Sequence, residues 1–146
     1  MFKFHSLIRK MRRLYLKGGG VNILRAKLIY RYVRLVYHCD IPYSAGIEGV
    51  YFCHKGFGIV INPNARIGEN TVVQHGVSIG EMNGSHVCPV IGKNCFIGAH
   101  ALILGDITIG DNVKIGAGSV VIKDVPANCT AVGVPAKTTK NNKTEE

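Results

Sequence analysis

The stretch from residue 91 to residue 121 reads IGKNCFIGAHALILGDITIGDNVKIGAGSVV and repeats one aliphatic residue every six positions. Isoleucine or valine stands at 91, 97, 103, 109, 115 and 121, and the same spacing runs earlier through 61, 67, 73 and 79. Six residues rotate an α-helix by about 600°, far from the starting face, so a helix cannot use this period. The repeat therefore predicts one short strand and one corner in every six residues.

Glycine and asparagine recur where the corners are predicted. Glycine follows the aliphatic at 68, 80, 92, 98, 110 and 116, and asparagine stands at 64, 70, 94 and 112. Both residue types accept turn conformations that β-branched residues resist. The aliphatic side chains then point inward, and Ile61, Ile79, Ile97 and Ile115 are predicted to form one internal ladder. A β-sandwich with accidental spacing is the alternative, and ten matches in one register count against it.

The repeat fails once, at residues 80–90, which read GEMNGSHVCPV. Turn-forming residues accumulate there, so we expect a loop that leaves the coil. Loops on rigid scaffolds often carry binding and catalytic residues.

Charge is distributed unevenly along the 146 residues, whose net charge is +9. Residues 1–39 hold ten lysines or arginines and no acid, which predicts an attached basic element beside a nearly neutral domain. Residues 21–38 are predicted to form an amphipathic helix with a basic face and an apolar face. The basic face comprises Lys27, Arg31, Arg34 and His38, and the apolar face comprises Leu24, Leu28, Tyr32 and Leu35.

Two roles are open for this helix. Its apolar face either caps the open end of the coil or, together with the basic residues, contacts an anionic membrane surface. Nucleic acid is not an expected partner, because no nucleic-acid-binding fold accompanies the charge. The polar residues 138–146 are expected to be a disordered tail.

The five cysteines are an odd number and include no CxxC pair. We expect reduced thiols and a cytoplasmic protein. Charged residues interrupt the apolar residues of the first segment, so neither a secretory leader nor a membrane span is expected there.

Five segments carry a resemblance to a known family. They are DIPYSAGIEGVYFCHKGFGIVIN (40–62), QHGVSIG (74–80), CPVIG (88–92), IGAHALILGDITIGDNVKIGAGSVV (97–121) and AVGVPAK (131–137). They resemble the hexapeptide-repeat acyltransferases of the serine acetyltransferase branch, and are similar to the bacterial exopolysaccharide O-acetyltransferases of the colanic acid type.

The resemblance implies an all-β solenoid, a left-handed parallel β-helix of residues 40–137 with a short N-terminal α-helical segment at residues 1–39. It also implies three hexapeptides per coil, a homotrimer, and acetyl-CoA bound between neighbouring subunits as the acetyl donor. No metal is implied.

The same resemblance implies a catalytic pair. His54 corresponds to the family's general base, and Asp40 to the acid that orients it. A positioned imidazole lowers the barrier to removing the proton of a hydroxyl as it attacks a thioester, and a carboxylate on the other ring nitrogen fixes the tautomer. His75 matches a histidine that binds the acceptor or assists the base; an ordinary corner residue is the alternative.

The expected coenzyme contacts also follow from the resemblance. Gly80, Ala99 and Ala117 correspond to residues beside the pantetheine arm, and Lys123 and Lys137 to residues near the nucleotide phosphates. A lysine beside a phosphate makes a charge-assisted contact.

Three departures from the serine acetyltransferases bear on the acceptor. Cys53 replaces the aspartate that holds the amino-acid substrate, and Cys88 replaces a histidine, for which His86 is a candidate substitute in substrate binding. The long helical domain of those enzymes is reduced to about forty residues. We therefore expect a sugar hydroxyl of a surface polysaccharide or its precursor as acceptor, with serine as the alternative.

Two other functions are alternatives to acetyl transfer. A zinc hydratase of the carbonic anhydrase type needs three histidine ligands, two of them five residues apart, and no pair among the six histidines has that spacing. A structural solenoid that binds a partner along its flat faces is the non-enzyme alternative, and it would make His54 and Asp40 incidental.

Overall fold

The computed structural model describes residues 2–47 and 49–140. Two helices come first, α1 (Phe2–Lys17) and α2 (Gly20–Tyr37), and short strands follow. The strands are β1 (Tyr51–Phe52), β2 (Val60–Ile61), β3 (Arg66–Ile67), β4 (Val72–Val73), β5 (Ser78–Gly80), β6 (Val90–Ile91), β7 (Phe96–Ile97), β8 (Leu102–Leu104), β9 (Thr108–Ile109), β10 (Lys114–Ile115), β11 (Val120–Val121), β12 (Cys129–Gly133) and β13 (Ala136–Lys140).

These strands form three sheets that share one winding pattern. The orders are β1-β4-β7-β10-β12-β13, β2-β5-β8-β11 and β3-β6-β9. Up to β11 every third strand pairs in parallel along the coil, then β10 pairs in parallel with β12 and β13 returns antiparallel to it. Strands β1 to β11 are only two or three residues long because a corner follows each within the six-residue repeat, whereas β12 and β13 have five residues each. The chain therefore winds as a three-sided parallel coil.

The repeated aliphatic residues fill the interior of this coil. Ile61, Ile97, Ile103, Ile109 and Ile115 are all at most 2% exposed. Burying one such side chain contributes about 1.5–3 kcal/mol, so the stacked rungs supply most of the driving force for the coil.

The predicted ladder of Ile61, Ile79, Ile97 and Ile115 is wrong at its middle step, from Ile79 to Ile97. Ile61 is opposite Ile79, but Ile79 is opposite Ile103, whereas Ile97 is opposite Ile115 on another side of the coil. The cause is the segment between β5 and β6, which leaves the coil. It adds six residues to that one winding of the chain, so the residues after it pair one hexapeptide later.

Two of the three corner columns are built from residues with left-handed backbone. The asparagine corner is defined here as Asn70, Asn94, Asn112 and Asn128, with φ between 55° and 59°. The histidine corner is defined as Gly58, Gly76, His100 and Gly118, with φ of 69°, 69°, 58° and 67°. Left-handed conformations suit glycine and asparagine, so the repeat places these residues where the chain must bend.

Helix α1 covers the first coil. Its Phe4, Ile8 and Met11 are buried, and the Phe4 ring meets the Phe52 ring edge to face at 6.4 Å. The predicted helical start is therefore present and packed on the coil.

Helix α2 packs through a different face from the one expected to cap the coil. Ala26 and Val33 are buried, whereas Leu24, Leu28 and Leu35 are 58%, 59% and 73% exposed. The reading that these leucines cap the coil is wrong, because α1 occupies the open end and α2 turns its small and β-branched residues inward. Among the described residues, no helix is both long and apolar enough to cross a membrane.

The end of the coil differs from the predicted tail. Residues 138–140 belong to β13, which pairs antiparallel with β12, as in Thr138 opposite Ala131. They are ordered because β12 offers an unpaired sheet edge to which the chain folds back. Residues 141–146, the rest of the predicted tail, lie outside the described residues.

Candidate active site

His54 lies in a short turn that follows β1. A 3₁₀ segment, Cys53–Gly56, inserts between β1 and β2, and His54 and Lys55 have left-handed φ values of 49° and 57°. Two consecutive left-handed residues that are not glycine are sterically costly. The turn therefore projects the His54 side chain from the coil, where it is exposed to solvent.

Three imidazole rings meet beside this turn. The centroid of the His75 ring lies 4.9 Å from that of His54 and 5.0 Å from that of His100, and both pairs are nearly perpendicular, at 88° and 85°. We call His54, His75 and His100 the histidine stack. His75 is central, and its Nδ1 atom is buried without a hydrogen-bond partner among the described residues.

His100 was missed as a site residue by the sequence reasoning, which singled out His86 instead. A signal was available, because His100 stands three residues after Ile97, and Gly76 and Gly118 stand at the same place after Val73 and Ile115. A histidine at a position that neighbouring coils give to glycine is an exception in the repeat.

Asp40 does not contact His54 within this chain. Its Oδ1 accepts a hydrogen bond from the Tyr30 hydroxyl at 2.5 Å, and its Oδ2 lies 3.7 Å from Arg34. Burial, followed by the hydrogen bond to Asp40, raises the pKa of Tyr30 to about 12. The expected contact of Asp40 with His54 is therefore not formed within this chain, because α2 crosses Asp40 and provides both of these side-chain partners.

Cys53 precedes His54 and contacts the next coil. Burial raises the pKa of the Cys53 thiol, although a hydrogen bond with Gln74 opposes the shift. Burial likewise raises the pKa of Cys88, with a smaller contribution from Glu81. Both groups are therefore neutral thiols at pH 7, which disfavours them as thiolate nucleophiles. All five cysteines are free.

A groove of about 390 Å³ begins at Gln74 and follows the sheet that contains β7 and β10. Its lining includes two residues of the predicted coenzyme site, Ala99 and Ala117, together with Phe96, Gly98 and Gly116. Small residues keep the groove open and leave backbone accessible to an extended ligand.

The other predicted coenzyme residues are not brought to this groove. Gly80 ends β5 on a different sheet, Lys123 follows β11 on that same sheet, and Lys137 lies in β13. Gly80 and Lys123 are therefore on another sheet, whereas Lys137 is on the sheet of the groove but outside its lining.

His86 is also separate from the histidine stack. It lies exposed in the loop of residues 81–89, and its Nδ1 is 3.3 Å from Oε2 of Glu81. The proposed substitution of His86 for the missing histidine therefore gains no support from its contacts. Within residues 2–47 and 49–140, no cluster of three or more histidine, cysteine or acidic residues is arranged to hold a metal ion.

The three-sided coil of six-residue repeats and the imidazoles at its corner define a hexapeptide-repeat transferase. The family described as bacterial transferase hexapeptide (six repeats) matches residues 88–123. The chain is 40% identical over 121 residues to WcaB of Escherichia coli K12, assigned as a colanic acid biosynthesis acetyltransferase, with 80% of this chain and 74% of WcaB covered. The chain belongs to the hexapeptide-repeat transferase family.

Serine acetyltransferases are similar as well. The enzyme of Synechococcus elongatus is 38% identical over 114 residues, which cover 76% of this chain and 46% of that enzyme. The solved structure of Neisseria gonorrhoeae serine acetyltransferase in complex with serine has a TM-score of 0.81 at 41% identity, covering 93% of this chain and 55% of that one. The Brucella abortus enzyme in complex with coenzyme A has a TM-score of 0.82 at 33% identity, covering 92% and 54%. The chain thus spans about half the length of these serine acetyltransferases.

Proposed function

We propose that this protein is an acetyl-CoA-dependent O-acetyltransferase whose acceptor is a sugar hydroxyl of a surface polysaccharide or its precursor. The observation that carries the proposal is the placement of His54. It is an exposed imidazole in a strained turn, and its ring meets that of His75, the residue after Gln74 in the lining of the groove. The similarity to WcaB supports the acceptor class. The TM-scores support a left-handed winding of the coil, as the family resemblance implies.

The reaction assigns one proton transfer to His54. Its ring nitrogen accepts the proton of the acceptor hydroxyl while the hydroxyl oxygen attacks the acetyl carbonyl carbon. The bond from carbon to sulfur then breaks, the acetyl ester is released, and the departing coenzyme A sulfur takes the proton from the imidazolium. A general base of this kind contributes roughly 10²–10⁴-fold to the rate.

The neutral Cys53 thiol favours a sugar over serine. An amino-acid acceptor carries an ammonium group, which gains from an adjacent negative charge. Burial raises the pKa of Cys53, so the position before the base offers no such charge at pH 7. An uncharged sugar requires none.

Serine remains the second candidate acceptor, because of the similarity to the Neisseria enzyme in complex with serine. In that case this protein would supply O-acetylserine instead of an acetylated sugar.

An acceptor screen tests the proposal and separates the two candidates. Coenzyme A release is measured with L-serine, nucleotide sugars and oligosaccharides, using the wild type, His54→Ala and His54→Asn. Asparagine tolerates the left-handed backbone of His54, so His54→Asn isolates the loss of the base. Lys55→Asn is the matched control, because Lys55 has the same backbone conformation.

We expect sugar-dependent turnover that falls by roughly 10²–10⁴-fold in both His54 variants and survives in Lys55→Asn. Rapid turnover with serine that depends on His54 would replace the preferred acceptor. Equal turnover by His54→Asn and the wild type would remove the mechanism.

We further propose that three chains assemble around one axis to complete the coenzyme site. Ala99 and Ala117 lie along one sheet, whereas Gly80 and Lys123 lie along another, so a neighbour's sheet is needed to bring both sets to one ligand. Sedimentation equilibrium should give three times the chain mass, and a monomer that binds acetyl-CoA tightly would contradict the assembly.

We also propose a cytoplasmic location at the inner face of the membrane, with the two helices in contact with anionic lipid. The exposed Leu28 and Leu35 of α2 accompany the ten basic residues of positions 1–39. Between α1 and the first coil lies a groove of about 680 Å³, lined by apolar Ile8 and Leu16 and by basic Arg9, Arg13 and Lys17. Each basic residue near such a surface contributes about 1 kcal/mol.

Vesicle flotation tests the membrane contact. The protein should float with vesicles that contain phosphatidylserine, and Leu28→Glu should reduce the floating fraction. Vesicles of phosphatidylcholine alone are the control, and equal flotation with both lipids would refute the charge-based contact.

A further inference from the structure

We propose that His100 is a positioning residue, which holds the central ring of the histidine stack and through it the orientation of His54. The proposal rests on the proposed function of His54 as base. His100 itself belongs to none of the expected catalytic, coenzyme or acceptor contacts.

The backbone at His100 is the first observation. His100 has a φ of 58°, in a column whose other members, Gly58, Gly76 and Gly118, are all glycine. A left-handed residue with a β-carbon costs about 1–2 kcal/mol, which glycine avoids. Residues that bear such a cost cluster at functional sites. The histidine corner thus has a residue other than glycine in one coil, and the ring of that residue lies in the histidine stack beside His54.

The space for the His100 ring is the second observation. A β-carbon built on Gly76 would lie 2.5 Å from Cε1 of His100 and closer still to Nδ1. The His100 ring therefore occupies the volume that the absent side chain of Gly76 leaves free. Gly76 therefore leaves room for the His100 ring and also bends the chain through its left-handed backbone.

The route to His54 runs through His75. His75 meets both rings nearly perpendicularly, at 4.9 Å from His54 and 5.0 Å from His100, measured between ring centroids. The His100 backbone N–H also donates to the His75 carbonyl oxygen at 3.0 Å. Because the buried Nδ1 of His75 has no hydrogen-bond partner among the described residues, ring packing must supply the restraint on that side chain.

The test is His100→Gly, which removes the ring and gives the corner the residue found in its neighbours. Kinetics are measured with acetyl-CoA and the acceptor that the screen identifies. We expect kcat to fall about tenfold, because small displacements of a catalytic group are costly, while KM for acetyl-CoA stays within about twofold. An unchanged kcat, or a loss confined to the KM of the acceptor, would overturn the positioning role.

Gly76→Ala and Gly118→Ala form a matched pair. Both substitutions place a β-carbon at a φ near 70°, but only the one at Gly76 meets His100, whereas nothing lies within 4 Å of the one at Gly118. Gly76→Ala should reproduce the kinetic loss of His100→Gly, and Gly118→Ala should retain activity. Equal losses in the two variants would show that backbone strain alone is responsible, and would refute the proposal.

Ring resonances measured by NMR without substrate separate this proposal from the proposed function. In His100→Gly, the ring signals of both His75 and His54 should move, although the His54 ring contacts no ring but that of His75 within residues 2–47 and 49–140. The ring signals of the exposed His86 should stay in place. A shift confined to His75 would overturn the coupling. Absence of acetyl transfer by the wild type with every acceptor would refute the proposed function, whatever the NMR result.

Discussion

The asparagine corner and the histidine corner bend the chain in the same left-handed way but differ in what holds them. In the asparagine corner, Nδ2 of Asn94 donates to Oδ1 of Asn112 at 3.3 Å, and Nδ2 of Asn112 donates to Oδ1 of Asn128 at 3.0 Å. The histidine corner has glycines and one imidazole in place of such a ladder. The asparagine corner pairs its side chains with one another, whereas the histidine corner leaves one imidazole exposed.

The difference shows how a repetitive scaffold acquires a site. The aliphatic interior is common to both corners, so the coil tolerates departures at a corner position. A site then forms where a corner position carries a side chain that can bind or react. Such a residue lowers local stability, and the packing of the rest of the coil offsets that loss.

The largest expected effect tests whether the interior is common to both corners. Ile97 precedes the histidine corner and Ile109 precedes the asparagine corner, and they are 0% and 1% exposed. Ile97→Ala and Ile109→Ala should each lower the free energy of unfolding by about 2–5 kcal/mol, from lost burial and the cavity left behind. Urea unfolding measures both, with the corresponding Ile→Val variants as controls at about 0.5–1.5 kcal/mol. A cost below 1 kcal/mol at one site only would show that the corners do not share one core.

An intermediate effect is expected at the asparagine corner. Asn112→Ala removes two side-chain hydrogen bonds and places alanine at a φ of 58°. The unfolding free energy should fall by about 1–2 kcal/mol. Asn112→Gly keeps the favourable backbone and should cost less than Asn112→Ala. If the two variants are equally stable, the backbone preference of asparagine does not contribute here.

The histidine corner should respond differently to the removal of its side chain. His100→Gly relieves the left-handed strain while adding chain entropy to the unfolded state, and the two terms nearly cancel. We expect the unfolding free energy to change by less than about 0.5 kcal/mol, although activity falls. A loss as large as that of Asn112→Ala would identify His100 as a structural residue like the asparagines.

The smallest effect is a pH dependence of stability that appears only in alkali. The pKa of Tyr30 rises from 10.0 to about 12 on folding, chiefly by burial and then by its hydrogen bond to Asp40. The folded state therefore binds the phenol proton more tightly, so this stabilisation is complete below pH 10 and is lost as the pH rises to about 12. Unfolding measured across this range should depend less on pH in Tyr30→Phe than in the wild type. The exposed Tyr32 provides the control, since Tyr32→Phe should leave the wild-type pH dependence unchanged.

The coil was predictable from sequence because its period repeats ten times in one register. The ladder register was not, since nothing in residues 80–90 indicates how the chain re-enters the coil after the loop. Val90 resumes opposite Arg66, which places Ile103 opposite Ile79. Long-range pairing of this kind depends on sheet hydrogen bonds that the local pattern does not encode.

The candidate site was predicted in part. The resemblance singled out His54 and His75, which the structure places together, but it paired His54 with Asp40, whose carboxylate instead meets Tyr30 and Arg34. The orientation of α2 decides which side chains meet Asp40. That orientation depends on which face of the helix packs against the coil. Both faces of α2 carry apolar residues, so periodicity alone could not select Ala26 and Val33 over the leucines.

The hairpin of β12 and β13 has a consequence for self-association. A parallel coil presents an open rung of backbone N–H and C=O groups at each end, and an uncapped rung is a template on which another molecule can continue the stack into a fibre. The antiparallel return of β13 occupies one such rung, with charged Lys137 and Lys140 on it, and α1 seals the other end through Phe4. Both ends of the coil are thereby capped against the addition of a further rung.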